Sequence, residues 1–133
     1  MVKCSNDNTI KEVPMNGEAR EKDTLHILWV NADPVTVKLM IFMYAINSLR
    51  KGWWKHVHIL VWGAAAKLLA EDEAVREKLR EFQAAGGDVS ACRRCAEELG
   101  VVEALEKLDG VEVFYVGQHF TKLLKDNEHL ITV

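Results

Sequence analysis

A chain of 133 residues with 49% hydrophobic and 28% charged residues is sized for one soluble domain that can bury a real core. Its net charge of -3, with acids and bases interspersed and no basic block, argues against nucleic acid as a partner. No apolar run approaches the ~18 residues that span a bilayer, residues 1–23 lack an apolar signal-peptide core, and three cysteines do not suggest a disulfide framework. A cytoplasmic protein with redox, sulfur or metal chemistry is therefore expected.

Residues 1–23 are polar, include Pro14 and Gly17, and read as a tail carrying an exposed Cys4. The run 25–30 is continuously apolar, as in a strand buried on both faces of a parallel sheet. Asp33 then suits a helix N-cap and Pro34 the first helical position. That helix should run to about residue 51, where Gly52 follows Arg50 and Lys51. It is unusual: residues 39–46 are apolar around the whole circumference, whereas a helix covering a sheet needs only one apolar stripe. A partner subunit is the preferred cover for the excess face. Trp53 and Trp54 either extend this surface or belong to the core.

The second buried strand is 57–62, ending at Gly63, and a short helix 64–70 follows. Asp72 caps the next helix, 73–85, whose Val75, Leu79 and Phe82 form a single stripe. Gly86 and Gly87 end it. A third strand, 88–91, leads into a helix over 93–99 closed by Gly100, and 101–108 continues helically. The fourth strand is 111–116, ending at Gly117; a helix 118–125 and a last strand 129–133 complete the chain. Strands alternating with helices call for a parallel sheet between helical layers.

In such sheets ligands bind outside the C-terminal ends of the strands. The candidates there are Asn31, Asp33, Gly63, Cys92, Cys95, Gly117, Gln118 and His119. Cys92 stands at a strand-to-helix junction, where helix N–H groups favour a thiolate, the nucleophilic form of cysteine. Against this, Cys92, Cys95, Ala96 and Leu99 also make an ordinary apolar helix face. One Cys-x-x-Cys pair with His119 falls short of the four ligands usual for zinc, so no metal is expected. No dinucleotide or P-loop glycine pattern occurs, and no cofactor is expected. Asn31 and Asp33 equally suit turn and capping roles. His26, His58 and His129 read as structural or surface residues within strands, and His56 as exposed; His119 is the histidine placed for chemistry.

With these residues on view, the sequence resembles the DsrE/DsrF-like family of small sulfur-relay proteins over about residues 24–133. The resemblance rests on the opening strand 25–31 with its apolar helix, on Ala91-Cys92-x-x-Cys95-Ala96-x-x-x-Gly100-Val101, and on the ending 117–133. It implies a three-layer α/β/α domain with a five-stranded, mainly parallel sheet, and homo-oligomers such as trimers or hexamers. It also implies that Cys92, eight positions before Gly100, bears the persulfide in members that carry sulfur, with Cys95 as an accessory. A sulfur donor or acceptor protein would then be a partner, although Glu97 and Glu98 replace basic residues of some carriers. The alternative function is a non-catalytic oligomeric module with a small-molecule or metal pocket at the same strand ends.

Overall fold

The computed structural model describes residues 22–133; Cys4 and most of the expected tail lie outside them. Strands β1 (Thr24–Trp29), β2 (His56–Val61), β3 (Asp88–Cys92), β4 (Val111–Phe114) and β5 (His129–Thr132) form one sheet in the order β4-β3-β2-β1-β5. Every pairing is parallel.

Alternation within the strands divides the domain into two unequal halves. Leu25, Ile27 and Trp29 lie beside Val57, Ile59 and Val61 in register. With Val89 and Ala91 they floor the main core, which collects the buried residues of five helical segments. Helix α1 spans 34–50. The others on this face are α2 (Ala64–Glu71), α3 (Glu73–Ala84), α4 (Arg93–Leu99) and α5 (Val102–Glu106). Trp29, Phe42 and Phe82 meet edge-on at its centre, at centroid separations of 5.4 and 6.2 Å. Such pairs add about 0.5–1.5 kcal/mol each beyond the area they bury.

The opposite face carries one described helix, α6 (Gly117–Lys125). The chain order explains this. From β1 to β4 each connection steps the same way across the sheet, so right-handed crossovers put their helices on one face. The connection from β4 to β5 steps back, so α6 falls on the other. There Leu28, Leu60, Cys92 and Val116 form a smaller core with Trp62, Phe114, Phe120 and Leu130. Connections leave β3 and β4 towards opposite faces. The C-terminal ends of these neighbours therefore make the topological switch point at which open parallel sheets bind ligands.

The long apolar helix departs from expectation in its middle. After a single turn over Pro34–Thr36, Val37–Phe42 is π-helical, and Met43–Arg50 is regular α-helix. The wider turn brings Val37, Ile41 and Phe42 inward together, each fully buried. The rest of the apolar circumference is left outside, with Val35, Leu39, Met40, Met43 and Tyr44 exposed. Trp53 extends this strip, tilted against Tyr44. Trp54 instead packs on the main core and donates its indole N–H to the Tyr44 hydroxyl at 3.0 Å. The fourth strand stops at Phe114, short of the expected 116, because Val116 turns into the smaller core as the N-cap of α6. No helix among the described residues is long and apolar enough to cross a membrane.

Candidate functional site

Cys92 is the last residue of β3 and the N-cap of α4. Its backbone is still extended (φ -74, ψ 117), so its Sγ folds back over the first helical turn and accepts the Cys95 N–H at 3.5 Å. Cys95, one turn on, presents Sγ to the Gly63 N–H at the end of β2, 3.3 Å away. Two sheet ends thus converge on a pair of free thiols. Gly63 reaches Cys95 only with φ +65 and ψ -140, a conformation that L side chains rarely adopt.

The two sulfurs differ in environment. Cys92 is 3% exposed, walled by Leu28, Leu60, Val116 and their neighbours. Cys95 is half-buried. Burial pushes its thiol above the ordinary range; the Gly63 N–H opposes this, and a hydrogen bond with the Cys92 thiol adds to it. At neutral pH Cys95 is therefore a protonated thiol beside a sulfur that already accepts a helix N–H.

The other expected residues disperse. Asn31 and Asp33 serve the turn after β1: Asn31 Oδ1 accepts the Asp33 N–H at 2.8 Å, and Asp33 Oδ2 accepts the Thr36 hydroxyl at 2.8 Å. Gly117 and Gln118 lie exposed on the first turn of α6, where the Gly117 carbonyl accepts the Thr121 hydroxyl. His119 turns inward, edge-on to His58 and Phe114 at 5.8 and 5.7 Å between ring centroids. Among the described residues no group of three or more His, Cys, Asp or Glu side chains is placed to hold a metal ion.

His119 belongs to a second feature that the sequence hides. Helix α6 covers only part of its sheet face, and over the N-terminal halves of β1 to β4 a cavity of about 620 Å³ is left. Here the inward-alternating residues are polar: Thr24, His26, His56, His58, Asp88, Ser90 and Glu112, with Phe114 as the aromatic wall. His26 and His58 are register partners. Their Nδ1 atoms lie 3.1 Å apart, and His58 Nε2 lies 3.1 Å from Ser90 Oγ. At the other end of the row His26 Nε2 is 3.7 Å from a Glu128 carboxylate oxygen. Burial pushes His58 down to about 4, and the neighbouring imidazoles add to this. His26 is lowered for the same first reason, with Glu128 opposing. Both are neutral at pH 7. The readable signal for this site is two histidines at the same offset inside otherwise apolar strands.

Comparison with known proteins fits this architecture. A conserved protein of unknown function from Bacteroides thetaiotaomicron is 39% identical, with a TM-score of 0.82 over 85% of this chain and 97% of that one. The ychN protein of E. coli (18% identity, TM-score 0.64) shares the fold over 83% of this chain and 98% of its own. A protein of unknown function from Methanobacterium thermoautotrophicum (15%, 0.65) does so over 83% and 97%. No curated protein matches. The model of the DsrE/DsrF-like family matches residues 15–133, and with nearly the whole chain covered, this protein belongs to that family.

Proposed function

We propose that the protein relays sulfane sulfur through Cys92. The observation that carries this reading is the thiol pair at the β3/β4 switch point, with Cys92 Sγ accepting a helix N–H and Cys95 held by Gly63. The Cys92 thiolate attacks the outer sulfur of a donor persulfide, R–S–SH. A new S–S bond forms, the donor S–S bond breaks, and RS⁻ leaves to take a proton from solvent. An acceptor thiolate then takes the outer sulfur from Cys92–S–SH and regenerates Cys92. Alternatively, Cys95 attacks the inner sulfur, releasing hydrosulfide and leaving a Cys92–Cys95 disulfide that a small thiol must reduce. The raised Cys95 thiol slows this second route at neutral pH and so preserves the cargo. A reducing cytoplasm suits both. The burial of Cys92 favours a small donor or one that displaces the cover of the smaller core.

The exposed strip of α1 supports a second element of the proposal, a homo-oligomer such as a trimer or hexamer. Leu39, Met43 and Trp53, at 60%, 49% and 55% exposure, are large apolar side chains of the kind enriched in subunit interfaces.

The test is intact mass after incubation with a persulfide donor. A dithiothreitol-reversible gain of one sulfur is expected in the wild type and in Cys95→Ser, and its loss in Cys92→Ser. An adduct that survives Cys92→Ser unchanged overturns the assignment.

A further inference from the structure

A nucleophile that is 3% exposed needs a way for its reaction partner to reach it. Most of what surrounds Cys92 is fixed. Leu28 and Leu60 sit on β1 and β2, strands paired on both sides, and Phe114, the register partner of Cys92, is held in β4. Helix α6 is tied differently. Among the described residues no hydrogen bond joins residues 117–125 to another strand or helix; those they make stay within the helix or go to the residues flanking it. Leu123 is its one buried side chain, at 8% exposure. The helix is held to the sheet by packing: His119 lies edge-on to His58 and Phe114, and Phe120 edge-on to Trp62 at 5.1 Å between centroids. Elements without such hydrogen-bonded ties open at the lowest free-energy cost.

Phe120 and Trp62 both pack against the smaller core that contains Cys92. Trp62 immediately precedes Gly63, whose N–H holds Cys95. Trp62 is anchored in turn, its backbone N–H donating to the Trp29 carbonyl at 3.0 Å. Of the two rings beside the thiols, one is therefore fixed to the sheet and the other rides on the loosely tied helix. The residue before Phe120, His119, lines the cavity of about 620 Å³ over the N-terminal halves of the strands. A shift of α6 in that direction would draw Phe120 off Trp62 into free volume, where elsewhere it would meet a packed interior.

We propose that Phe120 is a size filter on Cys92 and so determines specificity for the sulfur donor, a role that rests on the sulfur-relay reading. With α6 seated, a small alkyl persulfide reaches Cys92 past the edge of the Trp62–Phe120 pair. A bulkier donor must first displace Phe120 together with its helix.

Iodoacetamide and its fluorescein derivative, which share one reactive group and differ in size, test the filter on the full chain, with modification of Cys92 read by peptide mass. The wild type should strongly favour the small reagent. Phe120→Ala should cut that preference about tenfold or more, because deleting the ring leaves a gap of its own size. Phe120→Leu should keep most of it. Val75→Ala, in the main core on the opposite sheet face, lowers stability without touching α6 and should leave the preference unchanged. A preference unaltered by Phe120→Ala, or reduced as much by Val75→Ala, would overturn the proposal, because Cys92 would then be reached by general opening of the domain. Loading with cysteine persulfide and with the larger glutathione persulfide separates this inference from the reading beneath it. Equal rates from both donors, in the wild type and in Phe120→Ala alike, would overturn the filter and leave the relay standing. No sulfur on Cys92 from either donor in any variant, with the alkylation preference changed as expected, would overturn the relay and leave the filter on the thiol.

Discussion

Acidification should destabilise this fold through His58 before any carboxylate is lost. The folded imidazole titrates at about 4 and the unfolded one near 6.5. Between these values the unfolded chain binds more protons than the folded one, so stability falls as pH falls through that window and is intact above it. At pH 5 the single-site loss is about 2 kcal/mol, approaching about 3 kcal/mol below pH 4. His26 shifts in the same direction and adds to it, less the attraction of Glu128. For a domain of this size 2 kcal/mol lowers the melting temperature by roughly 6–10 °C. The assay is urea unfolding of wild type and His58→Asn at steps from pH 7.5 to 4.5. The variant will be less stable at pH 7.5, because Ser90 and His26 lose a partner; what matters is its flatter slope with pH. Parallel curves for the two proteins, or a wild type that holds its stability down to pH 4.5, would refute a neutral, half-buried His58.

Three further outcomes follow from the packing. Gly63→Ala forces a non-glycine residue to φ +65 with no steric crowding; it should cost about 1–3 kcal/mol in thermal melts. It should also push the Cys95 thiol further up in a pH profile of alkylation by loosening the Gly63 N–H contact. Gly87→Ala sets a Cβ about 2.2 Å from the Phe82 ring at the heart of the main core, and a loss of about 1–3 kcal/mol in chemical denaturation is expected; an unchanged midpoint would mean that Phe82 packs differently. Leu39→Lys with Met43→Lys tests the proposed homo-oligomer: it should leave the fold intact and lower the mass that light scattering measures for the wild type, and a monomeric wild type or an unchanged mass would overturn the proposed role of α1.

Much of the architecture is legible because strand segments buried on both faces, Ile27–Trp29 and Ile59–Val61, write themselves as continuous apolar runs, and because Asp33-Pro34, Asp72 and Gly100 punctuate the helices. The site is legible where chemistry and punctuation coincide. Cys92 is found because it is both a thiol and a strand end. What stays hidden depends on tertiary relations. The π turn at Val37–Phe42 follows from the need to bury Ile41 and Phe42 together, which no local pattern announces. His119 stands next to a strand end in the chain, yet the phase of α6 turns it towards His58. His26 and His58 look like two unrelated interruptions until the register sets them side by side. Their face is open because only the returning β4–β5 connection supplies a described helix to it, a consequence of strand order.

The most direct test of the sulfur relay is the residue that holds the adduct after a single turnover. The protein is loaded with a persulfide donor, freed of excess, and digested under acidic, non-reducing conditions for peptide mass mapping. Sulfur relay through the β3 terminus predicts the extra sulfur on the Cys92 peptide, discharged when an acceptor thiol is added. Sulfur found on Cys95 alone, with Cys92 unmodified in its buried seat, would contradict it.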